Sequence, residues 1–406
     1  MRFMIHHPLD TNQRPRNLVT DWPADRRITA SGLIKQTAKL LHSRLRGAVL
    51  GTAVLASIFA GSATPCTAAT FDLPEGDTTV VGSFRVVLPS SDNTLVDIAR
   101  HFDVGHHEIT WANPGVSVWL PGNGGKVVVP TQFILPQKPW EGVVLNIPQR
   151  RLFYFPKPKK GKTAKVITYP VSIAREGWST PLGKTTIVGK YKDPAWFVPP
   201  SIRKEKFEEG EVDFPTYFPP GPNNPMGMLA IQTGFPGIFI HGTNRPWGVG
   251  MRVSHGCLHL YPEDAAEIFP SIEPGTPVRV VDEPFVVGVL DDRLVMASYQ
   301  TVLEYESSDT ALTRAISAFA PFLDAGEDGH AANRAAYNVD WKLVEELIKS
   351  PHVLPVDVTV GARRLAEKIA RTEVELFDWP PYDIDANDAR APGKIDDTSL
   401  NAARND

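Results

Sequence analysis

The segment Ile238-Phe-Ile-His241-Gly242-Thr243-Asn-Arg-Pro-Trp-Gly-Val-Gly-Met-Arg-Val-Ser254-His255-Gly256-Cys257-Leu-His259-Leu260 places three histidines and a cysteine between positions 241 and 259. Its first four residues read as a short apolar strand ending on an imidazole. Its last part is a small-residue turn that delivers Cys257 to another apolar residue, with a helix expected just beyond. A thiol nucleophile needs a base to take its proton and donors for the oxyanion that forms on attack. His241, held rigidly at a strand end, suits the first task. The Ser254-His255-Gly256-Cys257 turn, which can aim several backbone N–H groups at one point, suits the second. A neighbouring imidazolium is expected to lower the thiol below its usual value of about 8.5. Taken singly, Cys257 reads as a small buried hydrophobe and each histidine as an ordinary polar residue. Together they point to chemistry. A zinc site of three His and one Cys is the rival on ligand count, but it leaves the glycines around both groups unexplained.

Composition narrows the setting. The chain has 406 residues, which at about 150 per domain suggests two or three folded units. Hydrophobic residues make up 42% and charged residues 22%, which excludes a wholly disordered chain. There are 42 Lys+Arg against 46 Asp+Glu, so the basic excess of a nucleic-acid binder is missing and no nucleic-acid partner is expected. Proline is abundant, 37 residues. Cysteine occurs twice, at Cys66 and Cys257. Arg44 and Arg46 precede an apolar run from Ala48 to Ala60, and small residues ending Thr67-Ala68-Ala69 follow. That order matches a secretory signal peptide, with cleavage expected after Ala69. The apolar run is short for a membrane span of about 20 residues; an uncleaved anchor is the alternative. Removal of residues 1–69 takes Cys66 away and leaves Cys257 as a lone thiol in an oxidising compartment, which itself marks it as a candidate.

The rest divides into four stretches. Residues 82–130 read as strand, helix, helix, strand. Thr94 can cap a helix to about Phe102, with Leu95, Ile98, Ala99 and Phe102 on one face. This β-α-α-β order, and the run Thr94-Leu-Val-Asp-Ile-Ala-Arg-His-Phe-Asp-Val, resemble a LysM module, which implies binding to glycan strands. Residues 131–141 read as a Pro-containing linker. Residues 142–282 read as strands at Val143–Ile147, Leu152–Phe155, Val166–Ile173, Thr185–Val188, Ile238–His241 and Val278–Val280, with one helix at Pro262–Phe269. The segment from Pro194 to Pro225 is expected to be irregular. Residues 283–379 are expected to form a hairpin through Asp291-Asp292 and helices at Thr310–Phe319, Trp341–Ser350 and Val360–Thr372. These are expected to pack on the catalytic domain near its cleft, or else to stand as a separate appendage. Residues 380–406 are expected to be a disordered tail.

His241-Gly-Thr, about a dozen intervening residues, and Ser254-His-Gly-Cys257 resemble the signature of the L,D-transpeptidase (YkuD) catalytic domain. The stretches Ser179-Thr-Pro-Leu-Gly-Lys, Asp193-Pro-Ala-Trp-Phe-Val-Pro-Pro and Asn223-Asn-Pro-Met-Gly-Met agree with its Gram-negative periplasmic members. The fold class expected is therefore mainly β with some α: a LysM-like module, a β-rich catalytic domain and an α-containing C-terminal extension. The resemblance implies that Cys257 is the nucleophile and His241 the proton carrier. It implies that the Gly242 carbonyl orients the imidazole, and that Ser254, His255 and Gly256 shape the turn and its oxyanion hole. Thr243, Asn224, Met226, Gly227 and His259 are the substrate-binding candidates; His259 stands where the family often has Arg or Asn. The substrate implied is the diaminopimelate–D-Ala bond of a peptidoglycan stem. The acceptor is a second stem, an outer-membrane protein or lipoprotein, or water. No cofactor and no metal are expected. A non-catalytic cell-wall binder and a zinc hydrolase are the competing functions.

Overall fold

The computed structural model describes residues 69–121, 125–305, 309–323, 337–380 and 382. Most of the leader expected at 1–69 and nearly all of the tail expected at 380–406 lie outside them.

The centre is a nine-stranded sheet, counted over the described residues. Its order is Ala69–Asp72, Lys165–Pro170, Arg151–Phe155, Gly142–Asn146, Pro277–Val281, Gly183–Lys192, Leu229–Thr233, Phe239–His241 and Leu258–His259. Neighbours are antiparallel except at two seams. Pro277–Val281 runs parallel to Gly142–Asn146, and Phe239–His241 runs parallel to Leu258–His259. Gly183–Lys192 spans the bend of the sheet. Its first half pairs with Pro277–Val280 and its second half with Leu229–Thr233, with a bulge between Ile187 and Gly189. An extra residue in one strand sharpens local twist, which is how one strand serves both halves.

Val143 to Leu145 and Leu152 to Phe155 are continuous apolar runs because both faces of the sheet are covered. Successive side chains point to opposite faces. Val143, Leu145, Leu152 and Tyr154 enter a core with Ile187, Ile231, Ile240, Leu258 and Ile268, the last from helix Pro262–Ser271. Val144, Phe153 and Phe155 enter a second core. That core is completed by Val87, Leu95, Ile98, Ile109, Val127 and Val129 of the preceding strand–helix–helix–strand unit, Arg85–Pro89, Leu95–His101, His106–Ala112 and Val127–Val129. Thr94 closes a capping box with Asp97, as its position before an apolar stripe predicts. Arg151 locks this unit to the sheet. It is fully buried, grips Glu108 with two nitrogens at 2.8 Å each, and donates to the Asp103 carbonyl and Thr168 hydroxyl.

The expected hairpin forms as Phe285–Leu290 and Arg293–Ser298, joined by Asp291 and Asp292 at φ 50° and 57°. Two successive positive φ values match the twist of the flanking strands. One hairpin face packs on helices Ala311–Leu323 and Trp341–Lys349. The other packs on Val80 and Ile134 of the N-terminal part.

Several expectations are corrected. The Pro194–Pro225 segment is not irregular throughout. It holds helix Pro200–Glu208 and a small ladder, Trp196–Phe197 with Tyr217–Phe218. Pro200 sits at the first helical position, where its missing N–H costs nothing. The 131–141 linker contains strand Gln132–Ile134, paired with Val80–Gly82. The strand read over Val166–Ile173 breaks into Lys165–Pro170 and Ile173–Ala174, which belong to different sheets. The last helix shrinks to Leu365–Arg371. Beyond it, Val374–Phe377 runs parallel to Arg85–Pro89, so the extension ends as an edge strand of the N-terminal unit.

Candidate active site

Parallel pairing sets His241 opposite His259 and Ile240 opposite Leu258. Ile240 and Leu258 are buried in the main core. By strand alternation, His241 and His259 share the other face, and Cys257, just ahead of Leu258, joins them. The two imidazoles lie 4.7 Å apart between centroids.

His241 is 4% exposed and its Nδ1 is 2.6 Å from the Gly242 carbonyl oxygen. A carbonyl only accepts, so Nδ1 carries the hydrogen and Nε2 keeps its lone pair. Burial pushes His241 down to about 4, against the opposing pull of the Gly242 and Met226 carbonyls. Burial pushes the Cys257 thiol up to about 11, opposed by the Phe239 backbone N–H. The thiol donates to the Gly237 carbonyl at 3.5 Å. Both shifts favour the neutral form of each group. The shifts run opposite to the thiolate beside an imidazolium that the sequence suggests, because burial disfavours charge on either group.

The turn before the cysteine is braced from three sides. Gly256 has φ +115°, and an added Cβ would meet the Ser179 carbonyl and Ile238 Cδ1 at 3.0 Å, so glycine is required. The Gly256 N–H donates to Ser254 Oγ at 3.2 Å, so it is engaged within the turn. The Gly256 carbonyl accepts from Thr180 Oγ1 at 2.7 Å. Tyr305 Oη in turn accepts from the Thr180 N–H and donates to the Thr180 carbonyl, both at 2.8 Å. His255 turns away from the nucleophile. Its Nε2–H donates to Glu205 at 2.7 Å and its ring meets Trp178 edge-on. Glu205, on helix Pro200–Glu208, also accepts from Trp178 Nε1. Glu304 accepts from the Gly177 N–H and from Arg252.

The other candidates sort as follows. Asn224 is 1% exposed and its amide nitrogen reaches the Pro194, Phe218 and Pro219 carbonyls, while its oxygen accepts from the Met226 N–H. These bonds tie the loop around it. Gly227, at φ +65°, lies against Gly242 and Thr243, where a Cβ would meet backbone at 3.0 Å. Met226 presents its carbonyl to His241. Thr243 Oγ1 accepts from the Arg245 N–H. His259 is held well below its ordinary value by burial and by the two neighbouring histidines, so it is neutral and cannot grip a carboxylate as a cation. Thr180, Glu205, Glu304 and Tyr305 were not singled out by the sequence. The one available signal was Thr180, inside the Ser179-Thr-Pro-Leu-Gly stretch. Among the described residues, no three His, Cys, Asp or Glu side chains are grouped to hold a metal ion. No described helix is long and apolar enough to cross a membrane.

A histidine with a fixed tautomer and a cysteine thus lie on one face of a curled, mainly β sheet. Residues 141–280 match the model of the YkuD L,D-transpeptidase catalytic domain. The probable L,D-transpeptidase YcfS of Escherichia coli K12 is 36% identical over 231 residues, 56% of this chain and 71% of that protein. The probable L,D-transpeptidase ErfK/SrfK of the same strain is 37% identical over 220 residues, covering 53% and 69%. Its Salmonella typhimurium counterpart is 32% identical over 295 residues, covering 71% and 90%. The chain belongs to the YkuD L,D-transpeptidase family.

Proposed function

We propose that this chain is a periplasmic peptidoglycan L,D-transpeptidase with Cys257 as nucleophile. The observation that carries the reading is the His241 imidazole, locked through Nδ1 onto the Gly242 carbonyl on the face that bears the only thiol of the described chain. As Cys257 Sγ attacks the diaminopimelate–D-Ala carbonyl, His241 Nε2 takes the thiol proton. The tetrahedral oxyanion collapses, the C–N bond breaks, and His241 returns the proton to the departing D-Ala amine. A thioester remains. An incoming amine gives up a proton to His241 and displaces the thiol, which completes covalent two-step transfer. A second diaminopimelate amine gives a 3→3 crosslink, a protein or lipoprotein lysine gives an anchor, and water gives L,D-carboxypeptidase activity. The neutral resting pair makes proton transfer part of the attack rather than a preceding equilibrium. The strand–helix–helix–strand unit at 85–129 supports a LysM-like role in holding glycan strands, and the leader supports export by a signal peptide.

The test is the mass of the intact protein after exposure to a carbapenem. The wild type is expected to gain one stoichiometric adduct and Cys257→Ala none. A stoichiometric adduct on the variant would sink the assignment. A non-catalytic cell-wall binder would form none in either case.

A further inference from the structure

Behind the catalytic sheet lies a buried cluster that the reaction does not use. Arg151 is matched by Glu108 and Arg100 by Glu263, each through two nitrogens. Asp103 and Asp264 have no such partner. Both are 3% exposed and lie within mutual hydrogen-bonding reach. Among the described residues, no N–H or O–H of a side chain outside this pair or of the backbone reaches Asp103 Oδ1 or Asp264 Oδ2, and the nearby buried Tyr169 hydroxyl has no hydrogen-bond partner. The backbone N–H of Ala69 donates to the Asp103 carboxylate, at 2.9 Å from Oδ2, and the Asp264 carboxyl shares a hydrogen bond with it. Ala69 is also the first residue of the edge strand, paired with Thr168. Arg151 attracts Asp103, but its guanidinium is spent on Glu108, so the two adjoining buried carboxyl groups remain poorly compensated. The site lacks one positive charge and further N–H donors at the position of the Ala69 nitrogen.

We propose that the Ala68–Ala69 bond is the processing site and that the new Ala69 α-ammonium is held by the Asp103–Asp264 pair. An envelope endopeptidase hydrolyses the bond. Water supplies the carboxylate oxygen of Ala68, and the Ala69 nitrogen becomes an amine that takes up a proton. One N–H keeps Asp103 Oδ2, and the other two face carboxylate oxygens that now have none. Small residues at Ala68 and Cys66 fit the one-and-three spacing of such a site as well as Ala69 and Thr67 do. The sequence therefore allows both registers. Cutting one residue later would discard the nitrogen that Asp103 holds and the residue that pairs with Thr168. This inference rests on the export reading but not on Cys257 chemistry.

The experiment expresses the full chain in a bacterium with a two-membrane envelope and purifies the processed protein. Intact mass and N-terminal sequencing are expected to begin at Ala69. A first residue of Thr70, or any other, overturns the site while leaving export intact. A chain that retains its leader overturns both. The α-amine of the folded, processed protein should then react with an acylating anhydride at neutral pH at least about tenfold more slowly than in denaturant. Asp103→Asn should restore most of the rate; Asp264→Asn reads the same contact if the first variant does not fold. Equal rates in folded and denatured protein overturn the ammonium site.

Discussion

Two buried polar places in this molecule are built on opposite plans. At the catalytic face, burial strips charge: His241 is pushed down to about 4 and Cys257 up to about 11, and each is held by backbone groups. At the joint between the N-terminal unit and the sheet, burial keeps charge, because Arg151 and Glu108 meet in a two-nitrogen grip. A neutral pair with one unspent nitrogen can move a proton. A saturated ion pair can only hold position. The first arrangement fits the proposed reaction and the second serves assembly.

The comparison breaks most readily at the nucleophile. Cys257→Ala or His241→Ala is expected to cut acylation by at least about a thousandfold while leaving the melting temperature near that of the wild type. Stopped-flow acylation and calorimetry on the same samples check this. A large fall in stability with either variant would mean that the site is structural.

Arg151→Ala should do the reverse. Stranding Glu108 in the interior is expected to cost about 3–5 kcal/mol by denaturant unfolding. Acylation per folded molecule should change little.

The pH dependence separates the two places further. His241 falls to about 4 in the fold, below an ordinary value of about 6.5. Between those values the unfolded chain binds a proton that the folded one refuses. Stability from this group is thus complete above about 6.5 and falls as pH drops, by up to about 1.4 kcal/mol per unit. Denaturant titrations at pH 4.5, 5.5 and 6.5 should show a slope to which His241 contributes, and His241→Gln should reduce it by that one group's share, the rest coming from other buried histidines such as His107, His259 and His352. Acylation should hold level from about pH 5 upward rather than rise through 6.5, because the base is already neutral.

The smallest effect is expected outside the matched family segment. Tyr305→Phe removes the donor to the Thr180 carbonyl and the acceptor for its N–H. A loss of about 1–3 kcal/mol is the ordinary cost of stranding such partners. A severalfold drop in acylation rate at unchanged substrate KM would identify Tyr305 as a positioning residue for the turn. A loss of stability alone would make it a packing residue.

Much of this was legible beforehand. The Thr94 cap, the Asp291-Asp292 hairpin and the helix starting at Pro262 are local devices whose signals lie within a few residues. The pairing of His241 with the Ser254–Cys257 turn was legible because both sit in one segment. The strands Val80–Gly82, Gln132–Ile134 and Val374–Phe377 were not. Each has three or four residues, too few to show a period, and each exists only because a distant edge was open to it. Asn224's loop bonds were not legible for a related reason: an amide that binds a substrate and one that ties a loop look alike in sequence.

By itself, the sequence determined the mainly β class and the family, and singled out Cys257 and His241 as candidates, since these depend on residue types at short spacing. The tertiary structure decided the direction in which each group of the pair is shifted, because burial sets it and no local pattern records burial. It also decided that Glu205, Glu304 and Tyr305 hold the catalytic turn and that the C-terminal extension returns to the N-terminal unit, since those contacts span tens to hundreds of residues.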